Sequence, residues 1–146
     1  MALSARVRDP SCAIVRRVST FKTPQIVLFS RDLPRAAEFY RRLGFEEVFR
    51  TPQEGPPIHV DLALDGYRLG LASEDSTRDD HGLAPVVEGQ RAAVILWTDD
   101  TPAAAETVLA AGGQLVKEPA PWLGRLLIAW FTDPDGHLIQ VVQPTE

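Results

Sequence analysis

His59 and Asp61 stand two residues apart in the apolar run Ile58–Leu64. On a strand that spacing puts both side chains on one face. An imidazole beside a carboxylate can take up a proton, and Arg68, in the following run Tyr67–Ala72, can hold a developing oxyanion. Two amides extend the polar set. Gln25 opens the run Gln25–Ser30, and Gln140 interrupts the otherwise apolar face Leu138, Gln140, Val142. His81 lies beside Asp79 and Asp80, so a metal site of His59, Asp61 and His81 can be drawn, but no metal-ligand spacing supports it. His137 faces opposite Gln140 by alternation and reads as a surface or packing residue. No GxSxG, no P-loop and no GxGxxG after a strand occurs. Cys12 is the single cysteine, which excludes a disulfide framework and a cysteine zinc site.

The elements that must position these residues are legible. Asp133-Pro134-Asp135-Gly136 is a turn between two strands: Pro presets φ, Asp accepts local hydrogen bonds and Gly supplies positive φ. Phe29–Val48 aligns without gaps on Trp97–Val116, at an offset of 68. Identical pairs are Asp32/Asp100, Pro34/Pro102, Ala36/Ala104, Ala37/Ala105, Glu38/Glu106, Gly44/Gly112 and Val48/Val116. The shared residues are caps and turn-formers, so the chain reads as a duplicated unit. Each copy begins with a strand (Gln25–Ser30, Ala92–Thr98). An Asp-capped helix follows, with Pro in its first turn and Gly at its end. Short strands come next, at Glu46–Arg50 and Gln114–Lys117, and then a hairpin: Ile58–Leu64 with Tyr67–Ala72, or Arg125–Phe131 with His137–Val142. The second hairpin loop is two residues longer, which moves the offset to 70 beyond it. Ser73–Gly89, acidic and holding two glycines and a proline, reads as a solvated, mobile loop.

The bulk composition excludes several classes. A chain of 146 residues, 45% hydrophobic and 24% charged, suits one folded domain. A net charge of −5 argues against nucleic acid as a partner. No apolar run reaches the ~18 residues of a membrane span. Residues 1–22 carry Arg6, Arg8, Arg16, Arg17 and Lys22 against Asp9 and read as an N-terminal extension, within which Ser11–Val18 can add an edge strand. The extension lacks the apolar core of a secretory signal, which places the protein in the cytoplasm.

The DPDG turn, followed by a short strand with a potential ligand four residues after the Gly, resembles the vicinal oxygen chelate family. That family includes glyoxalase I, extradiol dioxygenases, and fosfomycin- and bleomycin-resistance proteins. The resemblance covers roughly Thr23 to Gln143. It implies an α+β fold in which tandem βαβββ modules form an eight-stranded, half-open barrel: module one 23–72, linker 73–91 and module two 92–143, within one domain 23–146. It further implies four inward metal-ligand positions, which fall here on Gln25, Gly70, Ala93 and Gln140. Two of these have no ligand atom and two are neutral amides, so the usual metal site reads as lost, with no metal and no cofactor expected.

With those four positions inward, alternation sends Phe29, Trp97 and Arg68 inward as well, and leaves His59 and Asp61 inward with Leu127, Ala129 and Phe131 as their repeat mates. The expected ligand-binding set is Gln25, Phe29, His59, Asp61, Arg68, Trp97, Trp122, Phe131 and Gln140. Phe29 fills core or lines the pocket; Trp122, in Glu118–Gly124, closes over a ligand or packs at a dimer contact. Such a pocket suits a small apolar or aromatic molecule. The expected protein is a metal-free binder of bleomycin-resistance type, acting by sequestration, with a homodimer completing the site. The alternatives are a metal-dependent lyase or dioxygenase of glyoxalase type, and a metal-free enzyme using Arg68 with His59 or Asp61. No residue is assigned a catalytic role.

Overall fold

Two aspartates start the two long helices. In the computed structural model, which describes residues 20, 22–86, 88–90 and 92–145, Asp32 accepts from the Arg35 amide and Asp100 from the Ala103 amide. These bonds satisfy amides that a helix start leaves free. The helices are α1 (Leu33–Arg42) and α3 (Thr101–Ala110), each with Pro in its first turn. Both stop at a glycine of positive φ, Gly44 at 113° and Gly112 at 108°, a conformation that a side chain would strain.

The strands are β1 (Ile26–Ser30), β2 (Glu46–Thr51), β3 (His59–Leu64), β4 (Tyr67–Ser73), β5 (Ala93–Trp97), β6 (Gln114–Trp122), β7 (Leu126–Thr132) and β8 (Leu138–Pro144). They form two four-stranded sheets of the same order, β1-β4-β3-β2 and β5-β8-β7-β6. In each, the first strand runs parallel to the last and the other neighbours are antiparallel. This is the expected pair of βαβββ modules. The two sheets are not hydrogen-bonded to one another, which leaves the arrangement half open.

One apolar cluster spans both modules. It joins Phe39, Tyr40, Val60, Leu62, Leu69 and Leu71 of the first to Val108, Ala129, Phe131, Ile139 and Val141 of the second. The remaining faces of the sheets point away from it, and there the polar residues gather.

Three expectations are corrected. The linker is not a plain loop: Glu74–His81 forms a helix, α2, capped by the Ser73 side chain and ended by Gly82 at positive φ. Its acidic first turn, Glu74 and Asp75, complements the helix dipole, and Thr77 anchors it by burial. Strand β6 continues through Pro119 and Pro121 to Trp122, beyond the short strand expected to end at Lys117. An edge strand tolerates those prolines, because one side of its backbone needs no donors. Phe131 is fully buried in the core cluster with Ala129, on the face opposite the polar one. The registers explain this. Val27 corresponds to Ile95 at offset 68, Asp61 to Trp130 at 69, and Gly70 to Gln140 at 70. One of the two extra residues therefore lies before β7, not in the turn after it, and a one-residue slip reverses every side chain of a strand. Cys12 and the expected strand Ser11–Val18 lie outside the described residues.

Candidate functional site

Asp61 is the centre of a polar cluster on the face of the first sheet that points away from α1. Alternation along β3 puts His59 and Asp61 together and sends Val60 and Leu62 into the core. Asp61 stands opposite Gly70 of β4, and Arg68 is two residues before Gly70, on the same face. Gln25 enters just ahead of β1. Asp61 Oδ1 accepts from Gln25 Nε2 at 2.5 Å and meets His59 Nε2 at 2.7 Å. Its Oδ2 accepts from Arg68 Nε at 3.0 Å and Nη2 at 2.7 Å. Burial would push the Asp61 carboxyl up. Hydrogen bonds to His59 and Gln25, with the charges of His59 and Arg68, outweigh that and hold it below the usual carboxylate range.

Gly70 makes this arrangement possible. A Cβ there would lie 2.6 Å from Gln25 Nε2, 2.9 Å from Val27 Cγ2 and 3.2 Å from Asp61 Oδ1. The Gln25 amide thus occupies the space into which a side chain at position 70 would project.

The other expected residues are dispersed. Gln140 sits on the second sheet, opposite Ile95 and Trp130, and Trp97 sits opposite Val142 on that same face. Trp97 is 65% exposed and Ile95 45%. Trp97 borders a cavity of about 800 Å³ between β5, α3 and the Phe45–Leu69 side of the first module. Phe29 lines a separate cavity of about 420 Å³ with Ala93, His137 and Leu138. Trp122 is exposed at the end of β6. Within one chain, Gln25, His59, Asp61 and Arg68 come together; Phe29 shares their face of the first sheet, one strand from His59 across Ala72, while Trp97, Gln140 and Trp122 do not join them. His81 ends α2 and does not complete a metal-ligating group with His59 and Asp61. Phe49 was missed: a bulge between Glu47 and Phe49 shifts the β2 register, and the Phe49 ring stands edge-on to His59 at 6.2 Å.

A second polar group, at the DPDG turn, was read only as a turn. Asp133 is 3% exposed. Its Oδ1 accepts from the Asp135 and His137 amides at 2.9 and 2.8 Å, and its Oδ2 meets Tyr40 Oη and His137 Nδ1, each at 2.7 Å. Burial would depress His137, but the hydrogen bond to Asp133 and the charges of Asp133 and Asp135 raise it overall. Burial, then Asp133, push Tyr40 well up. Among the described residues, Asp133, Asp135 and His137 are the one set of three whose ligand atoms lie within 4.8 Å of one another. Both Asp133 oxygens are already filled by donors, so the group is a clamp between α1 and the turn.

Residues 22–141 match the family described as the Glyoxalase/Bleomycin resistance protein/Dioxygenase superfamily. The chain is 31% identical over 115 residues to lactoylglutathione lyase of Haemophilus influenzae, covering 77% of this chain and 84% of that one. It is 31% identical over 117 residues to a probable lactoylglutathione lyase of Vibrio cholerae, covering 77% and 83%. Among solved structures, the hypothetical protein SA1046 from S. aureus superposes with a TM-score of 0.73 at 23% identity, over 86% of this chain and 95% of that one. A likeness at that identity speaks to the fold alone.

Two predictions follow from the geometry. Gly70→Ala displaces the Gln25 amide and should cost about 1–3 kcal/mol, the range for overpacking or for a lost hydrogen bond to a charged group. In a Gln25→Ala background the same change should cost much less, because the group it strikes is gone; urea melts of the four proteins measure the difference. The second concerns pH. The folded His137 titrates above its ordinary value of 6.5, so its contribution is complete below about 6.5 and lost as pH rises through the raised value. Melting temperature should fall over that window, and His137→Gln should flatten the fall; an unchanged slope in the variant would remove His137 as the cause.

Proposed function

Because the chain belongs to the glyoxalase/bleomycin resistance protein/dioxygenase superfamily, we propose that it is a metal-independent member that binds a small organic molecule over the Asp61 cluster. The observation that carries this reading is the packing of Gln25 against Gly70. The family resemblance implies metal ligands at Gln25, Gly70, Ala93 and Gln140. Gly70 and Ala93 offer no ligand atom, and the Gln25 amide is bonded to Asp61 in the space a ligand at position 70 would need. A divalent catalytic metal wants about three imidazole or carboxylate ligands. The residues at these positions do not fit one.

What the face offers instead is Arg68 and His59, bordered by Phe49 and Val27, a setting for an apolar or aromatic ligand with one polar group. The opposite wall comes from a second copy. The Ile95–Trp97 face of the second sheet is apolar and open to solvent, as a surface awaiting a partner is. A homodimer that sets Trp97 and Gln140 of one copy over the Asp61 cluster of the other restores the pocket that a single chain lacks. The domain runs from residue 23 to 146 and functions in the cytoplasm; among the described residues no helix is long and apolar enough to cross a membrane.

The competing reading, a metal-dependent lyase, draws on the relatives named lactoylglutathione lyase. Metal analysis and a chelator melt decide between the two. The purified protein should hold no stoichiometric Zn²⁺, Ni²⁺, Mn²⁺ or Fe²⁺, and chelator should leave its melting temperature unchanged. A metal at 100 times its Kd would contribute about 2.7 kcal/mol, so its removal would be visible. One metal per chain with a chelator-sensitive melt would establish the lyase reading instead. The dimer has its own check. Trp97→Ala should lower the dimer fraction in sedimentation, weaken ligand affinity by roughly 1–3 kcal/mol and leave the monomer melt near the parent's. A dimer of unchanged strength would place the interface elsewhere.

A further inference from the structure

We infer that the open seam between the two modules, bounded by β5, α3 and the Asp65-Gly66 turn, is a second ligand site that takes a small aromatic amine. It lies on the helix-facing side of the sheets, away from the Asp61 cluster, and does not rest on the reading of that cluster.

The duplication carries the inference. Two modules of one plan make two seams, each between the helix of one module and the hairpin turn of the other. The first seam is closed. Tyr40 of α1 donates to Asp133 at 2.7 Å, Ser30 Oγ donates to Asp135 at 2.7 Å, and Arg35 donates to the Pro134 carbonyl at 3.1 Å. The second seam has the same positions with other residues. At offset 68, Val108 stands for Tyr40, Thr107 for Phe39, Ala103 for Arg35 and Thr98 for Ser30. At the offsets of 69 and 70 that the registers give, Leu64 stands for Asp133 and Asp65 for Asp135. Thr98 Oγ1 turns to its own helix start, donating to the Asp100 carbonyl at 3.3 Å. Asp65 is exposed, at a positive φ of 50°, and among the described residues no hydrogen bond or ion pair engages its carboxylate.

What remains is a groove of about 800 Å³, within the ~300–1,000 Å³ of small-molecule sites. Its walls include the buried Phe45, Leu69 and Val108, and Tyr67 and Trp97 stand exposed among the residues that border it. Protein interiors close such gaps with side chains. Here the ring that closes the first seam has no counterpart.

The missing group defines the occupant. At the first seam a ring is buried and its donor meets a carboxylate. At the second, apolar wall and an unengaged carboxylate are present, while ring and donor are absent. Asp65 is the single charged residue among the described residues that line the groove, so a cationic donor is favoured there and an anion disfavoured. Tyr67 and Trp97 add to that preference, since an aromatic face attracts a cation. An aryl ring on a short alkylammonium chain combines these features.

Tyramine is the probe. Its neutral counterpart is p-cresol and its anionic one para-hydroxyphenylpropionate, each titrated into the full-length protein and followed by amide NMR. Saturable shifts centred on Asp65, Gly66, Thr98 and Thr107 are expected, with tyramine tightest and the acid weakest. Asp65→Asn should weaken tyramine about 2–5-fold, as for an exposed ion pair, and leave p-cresol unchanged. Thr107→Phe, the residue type that α1 carries at the matching Phe39, sits at an exposed helix position and should abolish saturation by all three. Ala103→Met, also exposed, blocks the same groove should that variant melt early. Saturation that survives in a folded Thr107→Phe, tyramine binding no tighter than the acid, or shifts confined to His59 and Arg68 overturn the inference. Groove shifts that follow protein concentration without any probe would make a second copy the occupant and overturn it too. Each of these outcomes leaves the metal-independent reading of the Asp61 cluster to its own test.

Discussion

A single buried carboxylate ties the two modules together. Asp133 takes four donors: two amides of its own turn, the His137 ring and the Tyr40 hydroxyl. Tyr40 belongs to the helix of the first module, the rest to the last turn of the second. The same turn reaches across through three more bonds, with Asp135 accepting from Ser30 Oγ and the Arg31 amide, and the Pro134 carbonyl accepting from Arg35. A buried charge that loses a partner costs far more than the pair contributes over an apolar substitute. The clamp therefore acts as a specificity device: it fixes which surfaces of the modules meet, and the apolar cluster around Phe131 and Tyr40 provides most of the adhesion.

That choice of meeting surface determines which faces carry the polar groups. The modules join through their helix-facing sides, so the opposite face of each sheet is left open. On the first sheet the open face carries the Asp61 cluster; on the second it carries Ile95, Trp97 and Gln140. The first has polar groups without an apolar lid, and the second has exposed aromatic surface with one amide. The two groups stand on open faces of different sheets, which is why the expected residues separate within one chain.

Much of the fold was legible because its signals are local. Asp32 and Asp100 cap, Gly44 and Gly112 terminate, and the repeat between them doubles every inference. What escaped was non-local or hidden by compensation. The inserted residue before β7 leaves no gap in any recognisable motif, yet it turns Phe131 from the expected ligand face to the core. The acidic stretch after Ser73 looked solvated, and its exposed face is, but Ser73, Thr77 and Gly82 supply the cap, anchor and stop of a helix. Asp133 needed no explanation beyond its turn, so its partner Tyr40, 93 residues earlier, was out of reach. His59, Asp61 and Arg68 were found by alternation, but no periodicity shows that Gln25 bonds to Asp61.

Gly70 shapes the Asp61 cluster without touching the core. A strand position facing the open side contributes nothing to the core, where Leu69 and Leu71 on either side are almost wholly buried. Removing its side chain leaves a space flanked by Gln25, Val27 and Asp61. An unfilled polar gap beside a carboxylate would leave that charge under-solvated; a neighbouring amide that swings in restores a donor and closes the gap at once. The result is a carboxylate with both oxygens engaged and its carboxyl held below the usual range against its burial. Glycine at 70 is in this sense the structural condition for the bond between Gln25 and Asp61, because a Cβ there would lie 2.6 Å from Gln25 Nε2.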